Sequence, residues 1–201
     1  MIEKLLPLTK NKLEILSLIY TQGETHMLII AKELDIHPFS VQKTLRSLDN
    51  FILQKKAGRT ILLSLNNQIS GFNELTAILE DYKSNTKNEK VNSLIKQISA
   101  FFSYENILIC VLFGSYARLS FNKDSDVDIL LVVKKKNKEI TQKISQLSSL
   151  LAMEVSPLIM TMDEFLESIK NNEPTIKSLK NQSQRILING INKFLEALNG
   201  K

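Results

Sequence analysis

The sequence predicts an α+β protein with two domains joined by a helical linker. Three observations predict it. Residues 8–66 read as three short helices and an alternating hairpin, residues 72–103 keep helical spacing, and from residue 106 apolar runs alternate with helical stretches. A chain of 201 residues can hold two small domains that each bury a core. An apolar share of 43% and a charged share of 23% are ordinary for a soluble globular protein.

The N-terminal domain is expected over 1–66. Thr9 can cap a first helix whose Leu13, Leu16, Ile19 and Tyr20 have helical spacing before Gly23 ends it. Thr25 can cap a second helix that buries Leu28, Ile29, Ala31 and Leu34, and Asp35–Pro38 is a turn. Ser40 can cap a third, with Val41, Leu45 and Leu48 inward and Gln42, Lys43 and Arg46 outward. Residues 51–56 and 60–65 then alternate around Ala57-Gly58-Arg59, a hairpin signal. Residues 67–104 form the linker, with helical stripes at Leu75–Tyr82 and Val91–Phe102 and a polar break over 83–89.

The C-terminal domain, 105–201, should be α/β with a small mixed sheet. Strands are expected at about 106–113, 127–133 and 153–160, and helices from Ser115 and at about 139–151, 163–171, 173–182 and 190–198.

Charge and cysteine content narrow the function classes. Residues 1–65 carry nine basic and six acidic residues (+3), residues 66–105 four and five (−1), and residues 106–201 thirteen and ten (+3). Mildly basic ends suit polyanionic partners without requiring them. The single cysteine, Cys110, excludes an intramolecular disulfide and any multi-cysteine metal site, and its place in an apolar strand makes it a buried inert thiol. No apolar stretch reaches membrane-span length and no secretory signal is readable, which points to a cytoplasmic protein without a membrane partner.

The chemistry concentrates at one place. Ile107–Phe113 is apolar, Gly114-Ser115 follows, and ten residues later the chain reads Ser125-Asp-Val-Asp-Ile. Strand side chains alternate between faces, so Asp126 and Asp128 project together while Val127 and Ile129 face the core. Two carboxylates about 4 Å apart repel by roughly 4 kcal/mol at an effective dielectric of 20, a cost that a divalent cation removes. Gly114 permits a sharp turn and close backbone approach, and Ser115 opens a helix whose free amides and hydroxyl suit phosphate oxygens. Arg118, one turn on, either neutralises phosphate charge or is an exposed helix-end arginine.

An apolar strand, Gly114-Ser115, a gap of about ten and Asp126-Val-Asp128 resemble the signature of polymerase-beta-type nucleotidyltransferases. Tyr116-Ala-Arg118 and Ser125 are similar to small prokaryotic and archaeal members. The resemblance covers about residues 90–200. It implies transfer of a nucleoside monophosphate from a nucleoside triphosphate (ATP or another) to an acceptor, with pyrophosphate released and two Mg²⁺ ions held by Asp126 and Asp128. The family adds a third carboxylate from a neighbouring strand. Glu154 is the candidate, as metal ligand or base, although Pro157 also allows a solvated edge-strand charge. The implied acceptor is RNA, a protein or a small molecule. Lys134, Lys135, Lys136 and Lys138 read as a solvated turn, and His26 and His37 receive no catalytic role.

Three helices and a hairpin resemble a winged helix-turn-helix domain. That implies a DNA-binding surface of Gln42, Lys43 and Arg46 on the third helix and Lys55, Lys56 and Arg59 on the wing. A protein-binding winged helix or a homodimer is the other expectation. The function classes are therefore an Mg²⁺-dependent transferase carrying a DNA-binding module, or a DNA-binding transcriptional regulator whose second domain only senses nucleotide.

Overall fold

A computed structural model describes residues 7–85, 88–102 and 106–199. The chain forms two compact units, Met1–Tyr82 and Lys83–Lys201.

The first unit begins with α1, Lys10–Gln22, which starts where the Thr9 hydroxyl accepts a bond from the Lys12 amide and stops at Gly23, φ 79°. Helices α2 (Met27–Leu34) and α3 (Pro38–Ser47) follow. Both begin differently from expectation. Thr25 is buried in a backbone bridge with Leu63 instead of capping α2, which His26 precedes. α3 is capped by His37, whose Nδ1 accepts from the Phe39 amide, because Pro38 suits the first helical position and Ser40 already lies inside the helix. Strands β1 (Ile52–Ala57) and β2 (Thr60–Leu65) pair antiparallel around Gly58.

Ile15, Leu16, Ile19, Ile30, Val41, Leu45, Leu48, Phe51 and Leu63 form the core of this unit. Leu28 and Ile29 were expected inside but are 60% and 36% exposed. In so short a helix Ile30 and Ala31 fill the inward stripe, which turns the preceding pair outward.

The expected linker is divided between the units. Helix α4 (Phe72–Ser84) contributes Leu75 and Leu79 to the first core. Helix α5 (Glu89–Phe101), capped by Asn88, contributes Val91, Leu94, Ile95 and Ile98 to the second. Thr86 and Lys87 of the expected polar break lie outside the described residues.

The second unit is built on a four-stranded sheet in the order β5-β4-β3-β6. Strand β3 is Ile107–Phe113, and the helix expected from Ser115 is a single turn, α6 (Gly114–Ala117), that begins one residue earlier. β4 is Val127–Val133, α7 Lys138–Leu151, β5 Val155–Thr161, α8 Met162–Lys170 and α9 Pro174–Lys180. β6, Arg185–Asn189, is a strand that sequence periodicity missed, and α10, Ile191–Asn199, ends the described chain.

β3 and β4 are antiparallel, β6 is antiparallel to β3, and β5 is parallel to β4. On one face Cys110, Leu112, Val127, Ile129, Leu131 and Val133 meet α5 and α7. α8 and α10 cover the other face, where the Phe165 and Phe194 rings stack 5.8 Å apart. The Cys110 thiol is buried and burial pushes its pKa up to about 12, so it stays protonated and inert.

Candidate active site

The topology gathers the candidate residues at one end of the sheet. β3 ends at Phe113, paired with Arg185 at the start of β6, and Leu112 pairs with Ile129 near the start of β4. β5 starts level with β4, with Val127 opposite Val155. The Gly114 turn, Asp128, the residues before β5 and the residues before β6 therefore share that end.

Val127 and Ile129 lie in the core with α5 and α7, so alternation puts Asp128 on the opposite face. The Gly114 turn lies directly against it. Gly114 has φ 68°, and a Cβ built there would stand 2.9 Å from Asp128 Cγ and 3.2 Å from its Cβ, colliding outright with Oδ2. Only glycine permits both this backbone conformation and this approach.

Burial raises the pKa of Asp128, the Asp126 carboxylate raises it further, and the Arg118 guanidinium partly offsets both. The two expected acids thus sense each other electrostatically. Asp126 is exposed and Asp128 half-buried. Among the described residues no group of three or more His, Cys, Asp or Glu side chains is placed to hold a metal ion. Asp126 and Asp128 are a repelling pair beside a backbone turn, which suits a cation that also takes ligands from a substrate.

The loop between Gly114 and Asp126 is fixed from several sides. Tyr116 is buried, stacks on Phe121 with centroids 4.4 Å apart, and its hydroxyl donates to Met153 Sδ at 3.4 Å. Ser125 Oγ accepts from the Asn122 amide at 2.9 Å, and Asn122 Oδ1 accepts from the Asp124 amide at 2.9 Å. Tyr116 and Ser125 therefore shape the loop. Asp124, expected as a loop carboxylate, is exposed there.

Arg118 is exposed and its Nη1 donates to Gln184 Oε1 at 3.3 Å. Gln184 was missed in the sequence because its proximity depends on β6. Glu154 is exposed and precedes β5, and its carbonyl accepts from the Val127 amide at 2.8 Å. The residue opposite Asp128 on β5 is Ser156, not a carboxylate. Glu154 lies two residues earlier, at the level of Asp126, and its side chain is not gathered with the pair into a three-carboxylate group.

Gln42, Lys43 and Arg46 are exposed along α3, and Lys55, Lys56 and Arg59 along the hairpin, all within the first unit. No helix among the described residues is long and apolar enough to cross a membrane. In the lysine turn, Lys136 forms a 2.7 Å ion pair with Glu164, whose carboxyl this contact holds below its ordinary range.

Residues 96–188 match the family model described as "Polymerase beta, Nucleotidyltransferase". The match supports a polymerase-beta-type nucleotidyltransferase domain and spans Gly114, Ser115, Arg118, Asp126, Asp128 and Glu154. A comparison with curated proteins gave no match.

Proposed function

We propose that the chain transfers a nucleoside monophosphate from a nucleoside triphosphate to an RNA, protein or small-molecule acceptor, in a reaction that depends on Mg²⁺. The observation that carries this reading is the contact between Gly114 and the Asp128 carboxylate, beside a second carboxylate and inside the matched stretch. Asp126 and Asp128 would hold the metal, which when bound supplies charge neutralisation for the triphosphate and the attacking oxygen. Gly114 admits phosphate oxygens close to the backbone, and the Ser115 hydroxyl donates to one of them. Arg118, steadied by Gln184, balances charge on the departing pyrophosphate. In this reading Glu154 supplies the third carboxylate, from the level of Asp126.

The test uses purified protein, Mg²⁺ and labelled nucleoside triphosphates. Wild type is expected to release pyrophosphate or label an acceptor, and Asp128→Ala to abolish this with the fold intact. Equal inertness of both proteins across all four nucleotides and a broad acceptor panel would remove the enzyme reading.

Ser156 favours a second reading. A serine opposite Asp128 leaves two carboxylates where turnover would use three, so the domain binds nucleotide and the first unit carries the output. Under this reading wild type binds Mg²⁺-nucleotide without consuming it, and Ser156→Asp gains pyrophosphate release. Turnover by wild type that Glu154→Gln abolishes would favour the transferase instead.

The first unit is proposed to be a winged helix that binds DNA through Gln42, Lys43 and Arg46 on α3 and Lys55, Lys56 and Arg59 on the hairpin. The exposure of these six residues supports it. Absence of any duplex shift at low salt would turn the proposal towards protein binding or dimerisation.

A further inference from the structure

A groove of about 500 Å³ opens between α2, α3 and the hairpin of the first unit. Its floor is apolar, formed by the buried Leu45 and Leu63. Its rim carries two large apolar side chains in water, Leu28 at 60% and Ile61 at 54% exposure. Arg46 and Arg59 also line it, and no Asp or Glu does. Among the described residues neither guanidinium forms an ion pair or hydrogen bond. A small concave site thus combines an apolar surface with two uncompensated guanidinium groups.

We infer that this groove binds a small organic anion, with an apolar body on Leu45, Leu63, Leu28 and Ile61 and a carboxylate, phosphate or sulfonate head held by Arg46 and Arg59. Charge complementarity fixes the sign of the head, because the lining offers cations and no acid. The size fixes the class: the volume falls in the range of small-molecule sites, whereas a protein partner would need a broad surface. A nucleic-acid backbone would satisfy the arginines but leave Leu28 and Ile61 facing phosphates. The inference holds whether or not the unit also binds DNA.

The test titrates the full chain with 8-anilinonaphthalene-1-sulfonate, an aromatic anion that fluoresces in apolar surroundings. Saturable binding at one site per chain is expected. Arg46→Ala with Arg59→Ala should weaken it at least about tenfold, the worth of one charge-assisted hydrogen bond or more. Ile61→Ser, which keeps both charges, should weaken it several-fold, and neutral N-phenyl-1-naphthylamine should bind at least about tenfold less tightly. The three substituted side chains are all exposed, the buried Leu45 and Leu63 stay unchanged, and circular dichroism melting checks that the variants fold. Equal affinity of the double variant and wild type, or tight binding of the neutral analogue, would mean adventitious apolar adsorption and overturn the inference.

Discussion

Gly114 and Asp128 constrain each other closely. Replacing Gly114 by alanine places a methyl group on the Asp128 carboxylate and strains a backbone at φ 68°. A destabilisation of about 1–3 kcal/mol is expected, with nucleotide binding abolished. Asp128→Ala removes the colliding oxygen, so the double variant should be less destabilised than the sum of the singles, which a denaturation cycle measures. The raised pKa of Asp128 sets a second expectation. Its folded value lies above the ordinary aspartate value, so at pH between the two the native state holds a proton that the unfolded chain has released. The Asp128 contribution to stability is therefore fully present at acid pH and is lost as pH rises through the raised value. Asp128→Asn should flatten this profile and raise stability at neutral pH by about 0.5–1 kcal/mol, since solvent at this half-buried site screens the repulsion. Thermal melts of both proteins across the pH range check it. A difference between wild type and Asp128→Asn that fell towards acid would contradict the assigned environment. Much of this site was legible in the sequence, because alternation and the Gly-Ser turn depend only on local spacing. Gln184 was not, since it is 66 residues from Arg118 in the chain and meets it only through β6.

At the scale of elements, β6 shows why local pattern falls short. Arg185-Ile-Leu-Ile-Asn189 is brief, begins with a charge and follows a polar turn, so periodicity alone leaves it unassigned. Tertiary contacts define it instead. Arg185 is 1% exposed, donates to the carbonyls of Leu179 and Lys180 at the end of α9, and lies 4.9 Å from the Phe194 ring centroid. The guanidinium thereby ties α9, β6 and α10 together. Arg185→Met keeps the stem but leaves helix-end carbonyls unsatisfied, and a destabilisation of about 1–3 kcal/mol is expected in a denaturant melt. An unchanged midpoint would mean those carbonyls find water instead. The helix starts tell the same story: Thr9 caps α1 as its sequence suggests, but Thr25 is taken by the bridge to Leu63. The stretch 67–104 looked like one helical linker because both its stripes are amphipathic, and only packing assigns Leu79 to one core and Ile98 to the other.

For the whole molecule, the chain carries two compact units, with the candidate carboxylates in the second and the exposed basic residues of α3 and the hairpin in the first. If the first unit binds DNA, Lys43→Ala with Arg46→Ala should weaken binding equally across sequences and reduce the salt slope by about one for each phosphate no longer neutralised. A slope unchanged by the pair would place the DNA-binding surface elsewhere. Under the proposed function, Asp126, Asp128 and the Gly114 turn form a metal-dependent nucleotide site. Calorimetric titration of the full chain with a non-hydrolysable nucleoside triphosphate, with and without Mg²⁺, tests it most directly. Saturable binding that needs Mg²⁺ and disappears in Asp128→Asn is the expected result. Binding of equal strength in wild type and Asp128→Asn, or none by wild type in the presence of Mg²⁺, would contradict it.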